Sequence, residues 1–148
     1  MPTSPDDRFR FFDTLVRAEI RLWGAVDAAV SGATGTNLGL ITALRTIDDL
    51  DGAARVQEVA DDIGITVGAA SKIVDRLERA GLAERVPNPA DRRSSLLRMT
   101  KPGRKTLADG LRAARQELGR RTDTITQAQL DETTAALAAL ADAFSPED

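Results

Sequence analysis

The stretch Arg55–Gly81, RVQEVADDIGITVGAASKIVDRLERAG, decides the fold. Its apolar residues Val59, Ile63, Ile65, Ala70, Ile73 and Leu77 fall at helical spacing on either side of Gly64, and small Ala60 suits the point where two helices cross. Glycine accepts the positive φ of a tight turn. Thr66 stands where a hydroxyl can accept a backbone N–H two or three residues on and so cap the second helix, and Gly81 stops it. A short helix, a tight turn and a second helix braced across the first form a helix-turn-helix.

Downstream, LAERV (82–86) and LLRM (96–99) are short strand candidates flanking PNPADRRSS (87–95). Two strands and a long loop directly after a helix-turn-helix make a wing. From Pro102 the chain returns to helix, with Leu107, Leu111, Ala114 and Leu118 on one face. A final helix opens at TQAQ, where Thr126 caps and Gln129 reaches back. Its stripe of Leu130, Leu137, Leu140 and Phe144 needs a partner surface, either inside the monomer or on a second copy. Upstream, Phe12, Leu15, Val16, Ile20, Trp23, Val26 and Val30 recur at steps of three and four and predict a long first helix, broken by SGATGTN (31–37). Leu40, Ile41, Leu44 and Ile47 mark a second helix that DDLDG (48–52) ends. The fold class is mainly α with a small β-wing.

The chain has 148 residues, 42% of them hydrophobic, enough for one domain with a modest core. No apolar run approaches the about 20 residues that span a bilayer, and the N-terminus lacks a basic segment followed by an apolar one. No membrane association and a cytoplasmic location are the expectations. With neither cysteine nor histidine the common zinc and copper ligands are missing, and so are a thiol switch and a histidine base. Gly32 and Gly35 are not followed by Gly-Lys-Ser/Thr, and DDLDG lacks the alternating acidic pattern of a calcium loop. Asp61 and Asp62 are sequence neighbours that point about 100° apart on a helix and read as a solvated face. The expectation is therefore no enzyme, no metal and no cofactor; an unrecognised hydrolase ranks third among the readings.

The net charge of −3 conceals an asymmetry. Between Arg55 and Lys105 eleven basic residues face seven acidic ones, whereas the flanks carry nine against sixteen. A basic centre suits a polyanion. If the second helix of the motif buries Ala70, Ile73, Val74 and Leu77, it presents Val67, Gly68, Ser71, Lys72, Asp75 and Arg76, with Arg79 a turn on. The N-terminal part of that face fits a major groove, Gly68 and Ala69 allow close approach, and Ser71 and Lys72 meet bases or phosphates. An ordinary amphipathic helix with a charged outer face is the alternative. Arg92 and Arg93 at the wing tip weigh for DNA, because arginine inserts into narrow minor grooves and its planar fork holds phosphates. Asp91 beside them reads as a brace for the loop. The expected DNA-facing set is Thr66, Gly68, Ala69, Ser71, Lys72 and Arg76 with Arg92, Arg93 and Ser94 of the wing.

The run from Val56 to Leu107 resembles the winged helix-turn-helix core of the MarR (multiple antibiotic resistance regulator) family of bacterial transcription factors. Asp91 and Arg93 match the family's Asp-x-Arg wing signature, and Met99, Thr100 and Gly103 its Leu-Thr-x-x-Gly segment with methionine for leucine. Arg55 departs from the Ser or Thr cap common at the start of the first motif helix, which predicts a less stable helix there. Val67 and Gly68 replace polar side chains, leaving less for direct base readout.

The resemblance implies one domain, 1–148, with 37–102 as the winged DNA-binding region and 1–36 and 103–148 as dimerisation helices. It also implies a homodimeric regulator on a pseudo-palindromic operator in double-stranded DNA, here with repressor as the first expectation, released by a small aromatic or anionic effector. Trp23 and Arg45 are candidates for the effector pocket, with Arg17 and Arg21 as further cations; a buried core tryptophan and solvated helix charges are the plainer readings. A winged helix used for protein interaction is the alternative function.

Overall fold

The computed structural model describes residues 4–144. Six helices and one two-stranded sheet follow in the order α1 (Pro5–Thr34), α2 (Leu38–Asp49), α3 (Val56–Ile63), α4 (Val67–Arg79), β1 (Ala83–Pro87), β2 (Ser95–Met99), α5 (Lys101–Arg121) and α6 (Gln127–Ala143). The chain forms two compact units, one ending at Glu117 and the other beginning at Leu118.

In the first unit, Ser4 caps α1 by accepting the Asp7 N–H at 3.1 Å, Pro5 opens the helix, and Asp6 and Asp7 sit in its first turn, where the helix dipole favours anions. The helix runs through Ser31–Thr34, past the break expected at Ser31. It stops at Gly35, whose φ of 69° lets the chain turn left-handed and donate its N–H to Ser31 O. Only Val26 and Val30 of α1 are buried. Asn37 caps α2, which begins at Leu38, and the carboxylate of Asp27 on α1 accepts the Leu38 N–H at 2.6 Å.

Leu40, Ile41, Ala43, Leu44 and Ile47 of α2 are buried in a core shared with Val59 of α3, Val74 and Leu77 of α4 and Leu97 of β2. Burial of such side chains contributes about 1.5–3 kcal/mol each. Buried Thr46 donates its hydroxyl to Asp62 on α3 at 2.5 Å. Asp62 is thus tied to the core and not simply part of a solvated face; Asp61 accepts from Gln57 at 2.8 Å.

The expected cap defect at Arg55 is repaired from within. The Glu58 carboxylate accepts the Arg55 backbone N–H at 2.8 Å and pairs with the Arg55 guanidinium. Glutamate at this position supplies the returning half of a capping box without a Ser or Thr partner. That guanidinium holds the Glu58 carboxyl below its ordinary range.

β1 and β2 pair antiparallel from Ala83 opposite Met99 to Pro87 opposite Ser95. The residues before α3 add a further bond, Leu97 N–H to Ala54 O at 2.7 Å. Thr100 joins the wing to α5: its hydroxyl donates to Gly81 O at 2.7 Å and accepts the Gly103 N–H at 3.0 Å. Gly103 packs so closely that a Cβ there would lie 1.9 Å from Leu82 O, and a Cβ at Gly110 would lie 2.7 Å from the Ile41 side chain. These two glycines let α5 approach the winged region.

In the second unit, α6 opens on Thr126, whose hydroxyl accepts the Gln129 N–H while the Gln129 side chain accepts the Thr126 N–H at 2.9 Å. No residue of α6 is buried, and Phe144 just beyond it is 81% exposed.

Candidate nucleic-acid interface

The second helix of the motif, α4, is set by its apolar face. Ala70, Val74 and Leu77 are fully buried, and Ile73 packs against the core, as the spacing requires. The opposite face stands free. Val67, Gly68, Lys72 and Arg76 are exposed or partly so, and Ala69 and Ser71 are half-buried. Thr66 spends its hydroxyl on the cap, accepting the Ala69 N–H at 3.2 Å. A Cβ at Gly68 would meet nothing within 4 Å, so the helix start is open to an approaching surface. The first N–H groups of a helix attract anions, and here Lys72 lies one turn further along.

The wing loop is shaped by its own polar groups. Asn88 Oδ1 accepts the Ala90 N–H at 3.0 Å, Asp91 Oδ1 accepts the Arg93 N–H at 2.9 Å, and Asp91 O accepts the Ser94 N–H at 3.1 Å. Such side-chain-to-backbone bonds two residues on fold a loop without regular structure. Ser94 faces inward: its hydroxyl accepts from the Asn88 amide at 2.9 Å and donates to Asp91 O. Arg92 and Arg93 are exposed, and neither guanidinium has a carboxylate partner among the described residues.

Arg85 lies outside the motif residues expected to face DNA, yet it touches the second helix of the motif. From β1 it reaches α4, with Nη2 2.9 Å from Asp75 Oδ1 and Nη1 paired with Glu78. Its backbone N–H donates to Glu78 Oε1 at 3.0 Å. The signal for it in the sequence is the i, i+3 pair of acids, Asp75 and Glu78, on one side of a helix that must pack beside the next strand.

Trp23 and Arg45 do not line a common hollow among the described residues. Trp23 is 46% exposed, which rules out the buried core tryptophan for the single chain. It lines a hollow of about 250 Å³ with Asp27, Asn37, Gly39, Leu40, Ile73 and Arg76. Arg45 is exposed on α2 and does not line it. Arg76, expected on the DNA face, borders this hollow and a neighbouring one of about 570 Å³. Among the described residues no cluster of acidic side chains is arranged to hold a metal ion, and no helix is long and apolar enough to cross a membrane.

Residues 35–94 match the profile of the MarR family. A MarR-family transcriptional regulator from Rhodococcus sp. RHA1 is 24% identical and superposes with a TM-score of 0.80 over 95% of this chain and 96% of its own. The transcriptional repressor CouR, bound to a 23-mer DNA duplex, is 28% identical, with a TM-score of 0.79 over 86% of this chain and 89% of its own. CouR from Rhodococcus jostii RHA1 bound to p-coumaroyl-CoA is 25% identical, with a TM-score of 0.80 over 99% of this chain and all of its own. No curated protein sequence matches the chain. Residues 35–94 of this chain are thus similar to the winged-helix region of the MarR family, in a fold that solved MarR regulators share over nearly their whole length.

Proposed function

We propose that this chain is a homodimeric, DNA-binding transcriptional regulator with a repressor's mode of action. One observation carries the reading: an uncovered helix start bearing Ser71 and Lys72 and a wing tipped by two exposed arginines belong to one compact unit. The helix enters a major groove and the wing reaches the adjoining minor groove, where phosphates give affinity and base edges and groove width give specificity. With Val67 and Gly68 at the helix start, much of the discrimination falls to the wing. CouR's complex with duplex DNA supports the same use of the fold.

The dimer rests on α1. Phe9, Phe12, Val16 and Ile20 are exposed along it, a stripe that a single copy leaves in water. A second copy covers it, and the two-fold pair reads a pseudo-palindrome with half-sites about one helical turn apart. A small aromatic anion stacking on Trp23 and paired with Arg76 is the effector this arrangement accepts, since Arg76 belongs to the recognition helix itself. The CouR complex with p-coumaroyl-CoA supports binding of an aromatic, anionic molecule in this fold. Such a protein acts by binding and not by catalysis.

The test is a genomic selection with purified protein. Recovered fragments sharing a two-fold sequence support the proposal; recovery without any common sequence refutes it.

A further inference from the structure

We infer that Arg85 is a positioning residue that keeps the recognition helix electrostatically fit for DNA; the inference rests on the DNA-binding reading above. α4 carries three cations, Lys72, Arg76 and Arg79, and two carboxylates, Asp75 and Glu78. Both carboxylates are held by the single guanidinium of Arg85, which reaches them from the root of the wing. Asp75 is half exposed on the side that α4 offers to DNA, and Arg85 itself is only 28% exposed. A free carboxylate there stands within the Debye length of about 8 Å from approaching phosphates and repels them. Arg85 draws both acids toward β1 and offsets their charge.

This role is separable from mechanical bracing. The β1–α4 connection has a second tie that needs no guanidinium, the Arg85 backbone N–H to Glu78 Oε1. Arg85 also keeps its ladder position opposite Leu97 whatever its side chain. Removing the guanidinium therefore exposes two negative charges while leaving the strand tied to the helix.

The experiment measures affinity by fluorescence anisotropy on the best duplex from the genomic selection, near physiological salt, with thermal melting of each variant in parallel. Arg85→Gln is expected to weaken binding at least tenfold. Adding Asp75→Asn and Glu78→Gln to that variant restores binding to within threefold of the parent, because the charges that needed Arg85 are gone while the amide of residue 78 still accepts the backbone bond. Arg85→Lys stays within threefold. In the parent background, Asp75→Asn/Glu78→Gln binds at least as tightly as the parent, an arm that does not depend on the folding of any Arg85 variant. A triple variant as weak as Arg85→Gln, an Arg85→Gln protein that binds like the parent, or a weaker Asp75→Asn/Glu78→Gln protein each overturns the inference and leaves DNA binding itself standing. A parent that binds no duplex overturns both.

Discussion

The carboxylate of Asp91 accepts the backbone N–H of Arg93 at 2.9 Å, so the acid of the wing loop works on the backbone between the two arginines. An acid at an arginine tip would weaken DNA binding if it acted only as a charge. As a turn former it fixes where the arginines project. Asp91→Ala removes one repulsive charge and one loop bond, and the loss of order prevails: affinity for duplex DNA falls about three- to tenfold, as expected when a hydrogen bond of roughly 1 kcal/mol is removed. Tighter binding by this variant, measured by anisotropy, would show that charge decides.

Gly103 and Leu82 set the angle of α5. With Leu82 O 1.9 Å from any Cβ at position 103, Gly103→Ala forces backbone to move and is expected to cost about 3 kcal/mol, a fall in Tm of roughly 10 °C. Gly110→Ala meets the Ile41 side chain at Cδ1, Cγ1 and Cγ2, with no backbone atom as near, and costs less. Equal melting temperatures for the parent and Gly103→Ala would remove this account of the α5 junction.

The pair Arg55 and Glu58 predicts a pH dependence. The Glu58 carboxyl is held below its ordinary range chiefly by the hydrogen bond from Arg55. A depressed folded-state pKa contributes stability that is present above the unfolded value, about 4.3, and is lost as pH falls through the folded one. Glu58→Gln is therefore expected to be less stable than the parent at pH 7, with the gap closing below about pH 4. A gap independent of pH in thermal melts would show that the carboxylate charge contributes nothing.

The apolar stripe of α1 predicts self-association. Sedimentation of the parent should show a dimer that dissociates on dilution, and Phe12→Asp/Ile20→Asp should sediment as a folded monomer, each aspartate placing a charge where an apolar contact is required. A parent that is monomeric at all concentrations contradicts the dimer.

What the sequence makes legible depends on whether the cause lies within a few residues. The helix-turn-helix is readable because its apolar spacing, Gly64 and the Thr66 cap are local signals, and the wing because two short strands frame a turn-forming loop. Ser31–Thr34 is helical where a break is expected: Gly32 is tolerated inside a helix, and of the two glycines only Gly35 takes the left-handed conformation. The roles of Asp62 and Arg85 are not legible locally, because Thr46 lies 16 residues from the one and Asp75 ten from the other. That Trp23 lines a hollow with Arg76 is not legible for the same reason, since the hollow exists only once α4 packs beside α1 and α2.

If α4 and the wing together bind DNA through phosphates and grooves, binding must weaken with salt and depend on both. The most direct measurement is affinity for the selected duplex as a function of salt, for the parent, Lys72→Ala and Arg92→Ala/Arg93→Ala. Each phosphate that a variant no longer neutralises lowers the slope of log affinity against log salt by about 0.9. Expected are a steep slope for the parent, a drop of about one for Lys72→Ala, and a drop of roughly one to two with at least tenfold weaker binding for the double wing variant. Wing and helix variants that match the parent in both affinity and slope would contradict this mode of binding.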